Sequence, residues 1–408
     1  MDKPQDPLFQ NSTPGHIDVP VAHTSIIPIS IDSKRSKRLI RWGVLSFFFV
    51  QGIGFASWAS RIPDIKKSLA LSDAGLGSVL FALPAGSFIG LPFAGFLVTR
   101  FGSKIVVTLA ATLYTLMLVA IGFSATTWQL VIGLMLFGTC GNLVNIGINT
   151  QAIGVEELYK KSIMASFHGA WSLAGFTGAA IGGAMVSAHV APGYHYIGVA
   201  AFSLLTVAVA QRFLLRAKVA GDDHPLFALP DGPLLRLGVI GFCGMACEGA
   251  MFDWSGVYFQ TVVLAPAELV TLGYIVFMCA MAAGRFTADW LVNHIGRKKM
   301  IQTSGILITL GLSASIAFPY LVPATIGFLM VGFGVSSVVP LIYSAAGKSQ
   351  TLSPGMALAA ISTISFFGFL LGPPVIGFIA EAASLRYSYG LIAVLGLCTV
   401  VLAGKAKL

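Results

Sequence analysis

The chain has 408 residues, of which 56% are hydrophobic and only 10% charged, with 46 glycines, a net charge of +9 and a mean hydropathy of +0.85. A soluble domain carries about 25% charged residues, so a water-soluble globular fold is excluded and the positive charge has to be explained by a membrane. The five cysteines (140, 243, 247, 279, 398) lie in apolar stretches and read as small packing residues, neither disulfides nor metal ligands.

Residues 1–38 form a polar segment with prolines at 4, 7, 14, 20 and 28, expected to be a disordered cytoplasmic tail. No apolar stretch follows a short basic start, so a signal peptide is not expected. The run Lys34-Arg35-Ser36-Lys37-Arg38 ends the tail as an orientation signal. Twelve apolar runs of about 20 residues, each long enough to cross a bilayer, then follow. They lie near 40–60, 74–98, 104–124, 128–152, 162–187, 194–214, 235–260, 267–292, 298–318, 322–346, 356–380 and 384–404. They predict an all-α polytopic membrane protein with a six-helix bundle over 39–214, a central cytoplasmic loop at 215–234 and a second bundle over 235–408. With both termini inside, twenty Lys/Arg fall on the cytoplasmic side and four (Arg61, Lys66, Lys67, Arg386) outside, which obeys the positive-inside rule. This places the protein in an inner or plasma membrane. No nucleic-acid partner follows from the charge.

The halves repeat. Displaced by 194 residues, Gly90 meets Gly284, Gly102 meets Gly296, Gly138 meets Gly332, Gly178 meets Gly372 and Gly183 meets Gly377. Repeats of this kind place a binding site between the halves and let one rock against the other.

An ionisable residue inside a span is costly and is a functional candidate by default. Along the chain, Trp58 and Arg61 close span 1, either as part of an outer mouth or as an interfacial aromatic with a snorkelling arginine. In span 4, Asn142, Asn145 and Asn149 lie at i, i+3 and i+7 on one face, expected to wall a polar cavity. In span 5, His168, Trp171 and Ser172 form a second stripe, and the small residues behind them are packing positions. In span 7, Glu248 has no cation at i±3 or i±4, so it is placed to take up and release a proton. Asp253 lies about 140° further round the helix and is the second coupling candidate. In span 8, Arg285 and Asp289 are four apart near the cytoplasmic end, expected as an intrahelical ion pair of the inner gate. No phosphate loop, HExxH or GxSxG motif is present. The reading is a non-enzyme that needs neither cofactor nor metal.

The loops after spans 2 and 8 read Gly95-Phe-Leu-Val-Thr-Arg-Phe-Gly-Ser-Lys104 and Asp289-Trp-Leu-Val-Asn-His-Ile-Gly-Arg-Lys298. Both resemble the G-x-L-x-D-R-x-G-R-K loop of the major facilitator superfamily, which makes Gly95, Arg100, Gly102 and Gly296 gate residues by resemblance. Thr99 and Asn293 replace the loop acid. Further stretches resemble the YbjJ-type inner-membrane transporters near the fucose-permease branch: Ser57 to Pro63, His168 with Ser172-Leu173, Glu248-Gly249, Asp253-Trp254, Gly284 to Thr287 and Gly372-Pro373-Pro374. The span 5 window Ala174 to Gly183 matches the glycines of the superfamily's antiporter signature and lacks its proline. The resemblance implies a carrier that works by alternating access, but it brings no proton path, because the carboxylates that fucose-type permeases carry in spans 1 and 4 are replaced here by Gln51 and the Asn stripe. With Glu248 as the proton-coupling candidate, the expectation is a monomeric permease or symporter for a small polar solute. The alternatives are a proton-coupled exporter and a non-transporting sensor of the same fold.

Overall fold

The computed structural model describes residues 34–160, 163–216, 231–346, 349, 351–352 and 354–406. Fourteen α-helices are found among them: α1 (Lys34–Ser60), α2 (Ile62–Ser68), α3 (Asp73–Leu80), α4 (Ala82–Phe101), α5 (Ser103–Gly122), α6 (Thr127–Tyr159), α7 (Met164–Ser187), α8 (Pro192–Ala210), α9 (Gly232–Thr261), α10 (Leu272–Ile295), α11 (Arg297–Ala317), α12 (Leu321–Ala346), α13 (Pro354–Ala382) and α14 (Leu385–Lys405). Twelve segments are long and apolar enough to cross a membrane. Every span expected from the sequence is present, with shifted ends. Helix α1 begins at Lys34, so the basic run forms its first turn, and α6 continues to Tyr159. The rest of the expected tail and most of the central loop lie outside the described residues.

Local chemistry sets several boundaries. Thr126 and Gln129 form a reciprocal capping box at the start of α6. Asp231 caps α9 by accepting from the Leu234 N–H at 2.9 Å and from the Thr351 hydroxyl at 2.7 Å, and these bonds hold its carboxyl below the usual carboxylate range. Gly102 and Gly296 both have φ 83°, the left-handed side of backbone space that glycine tolerates. These two repeat-related glycines turn the chain from α4 into α5 and from α10 into α11.

The duplication is visible in the packing. Helix α1 packs on α7 as α9 packs on α13, α4 on α6 as α10 on α12, and α5 on α8 as α11 on α14. Within each bundle, glycines let backbones touch. A Cβ at Gly138 would collide with the Leu83 carbonyl, and one at its counterpart Gly332 would stand 2.5 Å from the Phe277 carbonyl oxygen.

Among the described residues the most extensive contacts between the halves are α13 against α3 and α7 against α10. Both reach the face opposite the termini. There a Cβ at Gly377 would lie 2.5 Å from the Asp73 carbonyl oxygen, and one at Gly183 would lie 2.8 Å from Thr271 Oγ1. Lys66 pairs with Asp73, and the Ala74 N–H donates to Glu381 Oε2 at 3.3 Å across the α3–α13 contact. Toward the termini, α6 makes no extended contact with α12 or α13 among the described residues. Among the described residues the halves are thus closed on the far face, and α6 stands apart from α12 and α13 on the face that carries the termini.

Candidate functional site

Side chains from three helices meet across the boundary between the halves. On α10, the Arg285 guanidinium donates to Ser172 Oγ of α7 at 2.8 Å and to Glu248 Oε1 of α9 at 3.3 Å. It also lies over the Trp171 ring, 5.7 Å from the centroid. Ser172 donates its own proton to the His168 carbonyl, which leaves its oxygen free to accept from Arg285. Arg285 therefore ties the first bundle (Trp171, Ser172) to the acid of the second. Glu248 is buried, and its cation comes from another helix. The sequence offered no partner within span 7; α10 supplies one. Arg285 thus carries contacts at the centre beyond the gate pair expected for it with Asp289. The Asp289 side chain lies outside the described residues.

An aromatic layer separates this cluster from the far face. Phe55 of α1 lies 5.0 Å from Phe252 of α9 and 6.2 Å from Trp171, and Phe252 lies 5.7 Å from Phe277, centroid to centroid. Trp171 is therefore already covered on one side by rings. On the terminus side, His168 is exposed and meets the Phe48 ring edge-on at 5.4 Å. Asn145 is exposed on nearly the opposite side of α6 from the lipid-side Ile132 and Leu136, so it faces the gap between the halves. Asn142 lies beside Gly90 of α4 with a buried, unpartnered Oδ1, and Asn149 spends an amide proton on the Asn145 carbonyl at 2.8 Å. The amide stripe thus contributes one free side chain, one partly used and one folded back.

Asp253 sits beyond the aromatic layer, buried, with no ion pair among the described residues and with Tyr274 and Tyr389 in electrostatic reach. It faces a different neighbourhood from Glu248, as the helical angle requires. Trp58 and Arg61 lie near the closed face, 1% and 3% exposed. That overturns the reading of an interfacial aromatic and a snorkelling arginine, since neither reaches lipid, and it separates them from the central cluster. Arg100 lies over Phe96 and Phe101, and Gly95 has open space around its Cα.

Two contributors, Phe55 and Phe252, carry no signal in the sequence, and Gln51 stands out only as a polar residue within span 1. Gln51 of α1 donates to the Gly141 carbonyl of α6 at 2.9 Å and keeps a buried, unpartnered Oε1. Phe55 and Phe252 form the barrier. Arg285 had a detectable signal, because its repeat counterpart is the apolar Leu91 and the preceding glycines, Gly284 and Gly90, match.

A sequence profile described as Major Facilitator Superfamily matches residues 44–352 and, in an overlapping second match, 265–406. An uncharacterized MFS-type transporter of Yersinia pestis is 33% identical, over 88% of this chain and 93% of its own length. The membrane protein MosC of Rhizobium meliloti is 31% identical, over 87% of each chain. Among solved structures, a bacterial homologue of the human lysosomal transporter Spinster, inward-facing and unoccupied, superposes with a TM-score of 0.73 at 13% identity, covering 91% of this chain and 97% of that one. A point mutant of the nucleoside transporter NupG superposes with a TM-score of 0.70 at 14% identity, covering 90% and 98%. At these identities the two structures speak for the fold alone.

Proposed function

The chain belongs to the Major Facilitator Superfamily, and on that premise we propose that this membrane transporter is a proton-coupled carrier of a small polar, sugar-like solute. It is a transporter and not an enzyme. The observation that carries the proposal is the Ser172–Arg285–Glu248 bridge, in which Arg285, paired with the buried acid of its own half, reaches Ser172 of the other. When Glu248 is ionised it holds Arg285 between the bundles. When it accepts a proton the ion pair is lost, and Arg285 is free to bind solute or to release Ser172. Proton occupancy thereby acts on the contact that must rearrange when the halves rock. The solute site lies on the terminus side of the Phe55–Phe252 layer, between His168, Asn145, Trp171 and Arg285. Amides and an imidazole there suit an uncharged, hydroxyl-rich ligand. The lysine and arginine bias supports a cytoplasmic position for the termini, and with them for the open side.

The test is solute flux in proteoliposomes with an imposed pH gradient. Glu248→Gln is expected to abolish the response of flux to the gradient while facilitated exchange continues. Unchanged pH coupling in that variant removes Glu248 from the mechanism. Saturable binding with no flux in any gradient would instead support the sensor reading.

A further inference from the structure

The closed face holds a second polar site, remote from the central cluster. A cleft of about 520 Å³ opens there between the halves, within the size range of small-molecule sites. The first half contributes the end of α1, α2 and the connection from α7 to α8. The second half contributes Gln260 and the stretch from Ala265 to Thr271. Arg61 is 3% exposed and lines the cleft. Its Nη2 donates to the Val190 carbonyl at 2.5 Å, and its Nε lies 2.7 Å from Asp64 Oδ2, out of line for a hydrogen bond. Its Nη1 is buried with no partner. Thr271, 1% exposed and also lining the cleft, has a buried, unpartnered hydroxyl. Exposed Lys67 and His189 complete the polar rim.

Buried donors without partners are costly unless something fills them. Here the residues that carry two such donors, from opposite halves, line one cleft. Both can donate, and the fixed charges are Arg61 and Lys67 against Asp64, which leaves a net charge of +1. Pro63, Val186, Pro192 and Val270 supply apolar wall beside them. We propose that this cleft binds a small organic monocarboxylate, with Arg61 Nη1, the Thr271 hydroxyl and Lys67 on the carboxylate and the apolar wall on the aliphatic body. A single net positive charge matches one carboxylate better than a dianionic phosphate. The site exists only while the far ends are together, so its ligand stabilises the state closed on that face. The inference stands independently of the central site.

The probe is valerate, titrated into the full-length, detergent-solubilised protein with the melting temperature as readout and valeramide as the uncharged control. Valerate is expected to raise Tm saturably and valeramide to leave it unchanged. Lys67→Ala, at an exposed position, and Thr271→Val, close to isosteric, are each expected to weaken the apparent affinity about tenfold. Glu248→Gln is expected to keep the full shift. No saturable shift, an equal shift with valeramide, or a shift indifferent to both Lys67→Ala and Thr271→Val overturns the proposal. Loss of the shift in Glu248→Gln alone moves binding to the central cavity and also overturns it. Failure of the central reading appears separately, as flux that ignores the pH gradient.

Discussion

The two seams between the halves are copies of one another and are built differently. In the seam of α13 with α3 and α4, Gly377 presses on Gly77 and on the Asp73 backbone, Pro373 covers Gly77, and Phe366 stacks on Phe88 with centroids 6.1 Å apart. In the seam of α7 with α10, Gly183 meets Thr271 and Ile275, Gly175 meets the Met278 side chain, and Ser172 meets Arg285. Displacement by 194 residues carries Gly183 to Gly377, Gly77 to Thr271, Ser172 to Phe366 and Leu91 to Arg285. The first seam is backbone against backbone with apolar rings. The second repeats the helix pairing with side chains in the gap, apolar at Ile275 and Met278 and polar at Thr271 and Arg285. Duplication supplied a hinge twice, and divergence turned one copy into a chemical contact.

The largest expected effect comes from unbalancing the second seam. Arg285→Met leaves Glu248 buried without its cation, which costs about 3–5 kcal/mol when one partner of a buried pair is removed. The double variant Arg285→Met with Glu248→Met is expected to recover most of the lost thermal stability while remaining uncoupled. A double variant as unstable as the single one would show that Arg285 acts through Ser172 and Trp171 alone. Next comes the first seam. Gly377→Ala puts a methyl group 2.5 Å from a carbonyl that cannot swing away, an overpacking cost of about 1–3 kcal/mol. Its functional mark is cysteine accessibility: a thiol introduced on the far face should react faster once the seam is pried apart.

Gly183→Ala sharpens the comparison, because its nearest neighbours are Thr271 Oγ1 at 2.8 Å and Ile275 Cδ1 at 2.9 Å, both side-chain atoms. It is expected to cost under about 1 kcal/mol, since side chains can turn where backbone cannot. Equal melting temperatures for Gly183→Ala and Gly377→Ala would erase the distinction between the seams. The smallest effect belongs to Thr271→Val. Its hydroxyl has no partner, so removing it should leave stability unchanged or slightly raised in the absence of ligand.

Much of the fold was legible from residues alone. A bilayer forces every span to be a long apolar helix, so hydropathy finds it. The offset glycines announced the repeat because glycine lets backbones touch, as at Gly138 and Gly332, and lets the chain turn, as at Gly102 and Gly296. The candidate site was legible in part. Glu248, Trp171 and Ser172 stood out as polar or aromatic groups in apolar runs, and they do meet. Arg285 was assigned to an ion pair on its own helix, because i to i+4 spacing is the only proximity a sequence displays. Trp58 and Arg61 were left open between an outer mouth and a lipid-facing helix end, because nothing local tells a lipid-facing end from one buried against the second half.

The sequence by itself determined the number of spans, their duplication and the rarity of charge within them, because each follows from the solvation of one segment in hydrocarbon. Tertiary structure alone decided which polar groups are partners. Arg285 reaches Glu248 across 37 positions and Ser172 across 113, through helix crossings set by glycine contacts between distant segments. It also decided which face is closed, since that depends on two whole bundles packing at one end and parting at the other.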